Sequence, residues 1–223
     1  MSYGMQDIYV LPRVYHGIVS RNILEQIYDI TGTFFPGPSP DMANATACAL
    51  LIDKYLHTET PLVFSGVGYT SGAGMGQRGE HKGELKNGKQ LPADAEEKWS
   101  KRIPKLWLGY TVWTESAEKA LIAMGKEELI EKINYSAMEA KVFLKYPEYR
   151  KEMLIRQKTT TDYIKLFYQC LRFMIRYYYE IGRDYLREKR KYLHREYEPC
   201  AFETAVDAVK QSNALLKKKG LLY

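Results

Sequence analysis

The stretch Tyr15–Ser71, "YHGIVSRNILEQIYDITGTFFPGPSPDMANATACALLIDKYLHTETPLVFSGVGYTS", decides how the rest of the chain is read. After Tyr15-His16-Gly17, the residues Ile23, Leu24, Ile27 and Ile30 recur at helical spacing from Ser20, and Gly32 is a natural stop. The stiff run Pro36-Gly37-Pro38-Ser39-Pro40-Asp41 then starts a second helix: Ser39 offers a hydroxyl to the free backbone N–H groups and Pro40 takes the first helical position. Asp41 falls in the first turn, where the helix dipole favours an anion. This helix is predicted from Pro40 to about His57, with Met42, Ala45, Ala49, Ile52 and Leu56 near one face. Its alanines let other backbone come close, which predicts a central, buried helix with Asp41 at its open mouth. The apolar run Pro61–Gly66 reads as a strand. Such an arrangement suits an active site, yet Ser-Pro-Asp is also an ordinary helix start. His16 has a structural reading as well as a ligand one.

Working outward, composition fits a folded chain: 223 residues, 45% hydrophobic and 27% charged, enough for one core with an appendage. Cys48, Cys170 and Cys200 are far apart and odd in number, which excludes a disulfide framework or a zinc pattern and suits a reducing cytoplasm. No signal-peptide pattern and no apolar run of about 18 residues is present. Ile8-Tyr9-Val10-Leu11 reads as an entering or edge strand.

From Gly66 to about Pro92 glycine, serine and charge dominate without periodicity, which predicts a long loop of functional or lid type. Ser71, Arg78 and His81 would be its polar contacts to a ligand. Gly74-Met75-Gly76-Gln77-Arg78-Gly79 matches the dinucleotide glycine pattern and Gly83–Lys89 most of a phosphate-binding loop. Neither has the strand-turn-helix context, and Gln90 stands where Ser or Thr would bind magnesium, so both are set aside. A short helix is expected over Ala93–Lys101 and an extended run at Ile103–Trp107. Trp107 and Trp113 can pack on the C–H face of a sugar or serve the core, with the core the simpler role. Helices are expected after Thr114, ending at Gly125, and from about Glu127 to Tyr146, where Pro147 breaks the pattern.

Between Asp162 and His194, Ile164, Phe167, Leu171, Met174, Ile175, Tyr178, Ile181 and Tyr185 mark one long amphipathic helix. Lys165, Arg172, Arg176, Arg183 and Arg187 lie on its other side, followed by Lys189-Arg190-Lys191. The chain's 33 basic residues against 27 acidic ones give a net charge of +6, concentrated here. Three readings apply: a solvated charged face over a helical core, a helix lying on an anionic membrane surface, and a nucleic-acid contact. The last is set aside because no groove-reading fold is legible.

The motifs Tyr15-His16-Gly17, Thr31-Gly32-Thr33-Phe34-Phe35, Ser39-Pro40-Asp41 and Pro61-Leu62-Val63-Phe64-Ser65-Gly66 with Ser71-Gly72 together resemble the acceptor-side half of bacterial family 2 glycosyltransferases of the GT-A type. Weaker similarity continues through "IPKLWLGYTVWTESAEKAL" to about residue 145. The resemblance implies an α/β fold, mostly α in this portion, with residues 1–110 an acceptor-side part and 111–223 a helical C-terminal region. It implies inverting transfer of a sugar from a nucleotide-sugar donor to a saccharide or polyprenyl-linked acceptor, in the cytoplasm or peripherally on the inner membrane face. Asp41 would be the general base, although Pro-Asp stands where the family more usually has an acidic pair. His16, Ser39, Ser65, Gly66 and Ser71 would bind substrate. A divalent metal, magnesium or manganese, would be held mostly by a nucleotide-binding half. The residues before Tyr15 are too few for even one βαβ unit of roughly 30 residues, so the chain is expected to be a C-terminal portion, inactive alone. The reading from another class is a non-catalytic helical membrane-surface or assembly protein.

Overall fold

A computed structural model describes residues 10–15, 17–57, 72–88, 91–191, 205–218 and 220. Within them the regular structure is helical: α1 (Arg21–Thr31), α2 (Pro40–Leu51), α3 (Gly72–Gln77), α4 (Ala95–Lys98), α5 (Gly109–Ala123), α6 (Tyr135–Lys145), α7 (Arg150–Arg156), α8 (Thr160–Lys191) and α9 (Ala205–Lys218), with short 3-10 turns between some of them. The α/β expectation is therefore corrected to an all-α fold. Among the described residues the β pairing amounts to one isolated antiparallel bridge, Glu84 with Leu106. The physical reason lies in Ile103–Trp107: Pro104 has no N–H to donate to a ladder, so pairing stops at the bridge and the Trp107 N–H bond to the Gly83 carbonyl, 2.7 Å. The predicted strand at Pro61–Gly66 lies outside the described residues, as do Ile8 and Tyr9.

α1 starts and stops where its sequence says it should. Ser20 accepts from the Ile23 N–H, and Gly32 closes the helix at φ 73°. α2 is the buried centre: Met42 through Cys48 are all buried, and Ala43, Ala45 and Ala47 let α5 pack closely against it. Two corrections apply to it. Ala49 is exposed, and the helix ends at Leu51 rather than near His57 because Ile52 turns extended, φ −107° and ψ 109°. The extended exit is tied down by Tyr55, whose hydroxyl donates to the Val10 carbonyl at 2.7 Å.

α5 begins at Gly109, ahead of the start expected after Thr114. Its cap comes from inside the helix: the Leu108 N–H donates to Thr111 Oγ1 at 3.2 Å, so no polar residue stands at the usual N-cap position. It runs across residue 110 and packs on α2 and on α6. The single helix expected from Glu127 to Tyr146 is two pieces, a 3-10 turn over Glu127–Lys132 and then α6. Ile133 is extended and Asn134 caps α6, accepting from the Ala137 N–H at 2.9 Å. Around these helices the main apolar core gathers Trp99, Ile103, Leu106, Trp107, Leu108, Val112, Met138, Val142 and Met153. A second cluster joins Ile27 of α1, Ala47 and Cys48 of α2, and Met124 after α5. α8 lies on α6 through Leu166 and Cys170. No helix among the described residues is long and apolar enough to cross a membrane.

Candidate functional site

A pocket of about 290 Å³ opens where the start of α2 meets the start of α5. It is lined by Pro38, Ser39, Pro40, His81, Leu91, Trp107, Gly109, Val112 and Trp113. Three separate parts of the chain make it, and each is fixed by specific contacts. Ser39 donates its N–H to Ser116 Oγ at 2.8 Å, and Ser116 Oγ donates to the Val112 carbonyl at 2.7 Å, pinning the mouth of α2 to α5. Gly37 permits that approach, since a Cβ there would sit 2.9 Å from the Ser116 carbonyl oxygen. The third wall follows from the Glu84–Leu106 bridge, which brings His81 to Trp107 with ring centroids 4.5 Å apart. Gly88 completes it, because a Cβ there would meet Trp107 Cδ1 at 2.9 Å.

The structure thus gathers Ser39, His81, Trp107 and Trp113, which were singled out separately in the sequence. Trp107 is buried in the main core, and half-buried Trp113 packs on Met42 and Ala117, so both serve packing and also face the cavity. Asp41 is half-buried beside the pocket rather than in its lining. Its Oδ1 accepts from the Ser39 hydroxyl and from the Met42 N–H at 2.8 Å. This corrects the expected cap: the Ser39 hydroxyl turns to the carboxylate instead of the helix N–H groups, and Asp41 takes one of those groups itself. Arg78 does not join the pocket; it pairs with Glu80 at 2.6 Å on the surface. His16, Ser65, Gly66 and Ser71 lie outside the described residues.

Part of the predicted glycine-rich loop is helical. Gly74 to Gln77 belong to α3, with Gly74 buried, and Leu85–Asn87 form a 3-10 turn. Sequence reasoning missed Ser116 and Gly37, which set the pocket's geometry. A glycine held between Pro36 and Pro38 was the available signal for a close approach. It also missed fully buried Asn44, whose Oδ1 accepts the Val14 N–H and whose Nδ2 donates to the Phe34 carbonyl, both at 3.2 Å. Beside it, burial pushes the Cys48 thiol up to about 11, so it stays protonated near neutral pH.

Chemically, the pocket offers an aromatic wall, an imidazole, and a hydroxyl backed by a carboxylate. Its size is at the lower edge of the small-ligand range of about 300–1,000 Å³. Asp41 is the pocket's neighbouring carboxylate, and no group of three or more His, Cys, Asp or Glu placed to hold a metal occurs among the described residues. Compared with protein-family models, curated proteins and solved structures, the chain matches none. The family 2 resemblance gains no support from these comparisons and rests on its motifs alone.

Proposed function

We propose that the chain supplies the acceptor-holding part of a sugar transfer, in which a nucleotide-sugar donates to a saccharide or polyprenyl-linked acceptor. The observation that carries this reading is the convergence of Ser39, His81, Trp107 and Trp113 on one pocket beside Asp41. Indole faces pack on the C–H faces of a sugar ring while Ser39 and His81 meet its hydroxyls. The acceptor hydroxyl would attack the anomeric carbon with inversion, breaking that carbon's bond to the nucleoside diphosphate of the donor, which departs, and would lose its proton through the Ser39 hydroxyl to Asp41. No step is assigned to a metal. The place of action proposed is the cytoplasmic side of a membrane. α8 supports it, because its Lys165 is exposed and such a charge near an anionic surface contributes about 1 kcal/mol.

The test is a tryptophan-fluorescence titration with monosaccharides and short oligosaccharides. A saturable change that Trp113→Ala removes and Trp113→Phe retains supports the pocket as a sugar site, whereas no response to any saccharide removes it. In membranes from cells expressing the chain and fed labelled nucleotide-sugars, Asp41→Asn should abolish the chain-dependent incorporation. Retained incorporation would take the proton-accepting role away from Asp41.

A further inference from the structure

α8 has two unlike halves. Leu166 and Cys170 bury against α6, and Phe173 packs beside them in the same cluster. Beyond Phe173 the helix continues to Lys191, roughly 27 Å at 1.5 Å per residue. Beside the face that packs, Phe167, whose ring also meets Phe143 of α6 edge-on, begins a row with Leu171, Met174, Tyr178, Ile181 and Tyr185, all between 42% and 69% exposed. Their spacing alternates strictly between four and three residues. That is the 3.5-residue repeat of a seam between two helices, which follows a partner helix along its length. A helix lying on lipid needs an apolar arc but no such strict repeat.

From this row we infer that α8 pairs with α8 of a second copy of the chain. Three observations favour a second copy. The repeat asks for a helix, and a symmetric pair presents the same row to itself, which is how isologous dimers are built. Two charges of α8 are paired within the helix, at positions outside the seam: Arg176 with Glu180 at 2.8 Å and Arg183 with Asp184 at 3.1 Å. The area is also sufficient. A large aromatic side chain carries about 150–250 Å². Six half-open seam residues, flanked by the exposed Ile164 and Ile175, therefore offer on the order of 700 Å² per copy, close to the roughly 800 Å² per partner of a standard interface. The inference is independent of the sugar reading, since the row lies on a different element from the pocket.

Sedimentation equilibrium over a micromolar concentration series tests it, with anionic phosphatidylglycerol vesicles in a parallel arm. The expected result is a reversible dimer of the 25.9 kDa chain, whose dissociation constant rises about 30-fold or more with Leu171→Glu or Ile181→Glu and is unchanged by Arg176→Gln. Ile181 lies beyond the packed half, so its variant retains the body's fold even if Leu171→Glu disturbs it, and circular dichroism verifies this. A chain monomeric at every concentration overturns the inference. So does a dimer indifferent to both seam variants, or a monomer whose vesicle binding is abolished by Ile181→Glu, which would give the row to lipid.

Discussion

α5 and α8 are inverted with respect to each other. α5 buries Thr111, Thr114, Glu115, Ser116 and Glu118, while α8, apart from the buried Leu166, leaves its tyrosines, isoleucines, Leu171 and Leu186 in the open. The buried polar groups of α5 have partners within the chain: Ser100 N–H and Lys119 for Glu115, the Tyr135 hydroxyl at 2.6 Å for Glu118, and the Ser39 N–H and Val112 carbonyl for Ser116. The environment of α5 is complete, and it fixes the pocket wall. The row on α8 stays between 42% and 69% exposed in one chain, which is what directs attention to a second copy.

Substitutions on the two faces of α8 should separate these situations most widely. Leu166→Ala, at a fully buried site against α6, is expected to lower unfolding stability by about 3 kcal/mol. Leu171→Ala, on the exposed row, should stay within about 0.5 kcal/mol in dilute solution and lose stability only as concentration rises. Urea melts at two protein concentrations read both effects. Equal losses at low concentration would mean that the row is covered within the chain.

A smaller effect is expected where α6 meets α7. Glu139 is buried and accepts from Arg156 Nε at 2.8 Å and Gln157 Nε2 at 3.0 Å. Arg156→Met strips the carboxylate of its cation. Since the arginine is partly exposed, the loss should be about 2 kcal/mol rather than the 3–5 kcal/mol of a fully buried pair. Adding Glu139→Gln to that variant should recover part of it. A double variant less stable than Arg156→Met would show that the carboxylate contributes through contacts other than the arginine.

These contrasts also explain what could be read from the sequence. α1, the buried α2 and the long α8 were legible because their periodicity and caps are local: Ser20, Gly32, the Ala43–Ala47 run, and the apolar row of α8. The starts of α5 and α6 were not, because Thr111 caps α5 from within and Asn134 is an inconspicuous cap inside a continuous apolar pattern. The α/β expectation came from a resemblance together with strand readings at Pro61–Gly66 and Ile8–Leu11, and Pro104 already argued against a ladder at Ile103–Trp107. For the site, Asp41 and Ser39 were legible as a helix start. Their junction with His81, Trp107 and Trp113 depends on Ser116 and on the Glu84–Leu106 bridge, contacts that no local spacing encodes.

The smallest expected effect concerns the charge inside α5. Burial raises the Glu115 pKa above its ordinary 4.5, against the lowering effect of the Ser100 N–H and Lys119. The unfolded chain therefore releases this proton first as pH rises, and over that interval the folded state holds more protons. Stability from this group falls as pH climbs from about the unfolded value of 4.5 through the raised folded value, and then stays level. Glu115→Gln removes the titration while keeping an oxygen for the Ser100 N–H. The variant's stability relative to the native chain should improve from pH 4 to pH 7, as read from urea midpoints at constant slope. A variant that loses stability relative to the native chain over the same range would mean that Lys119, 3.4 Å away, outweighs burial, and that α5 holds its charge by attraction.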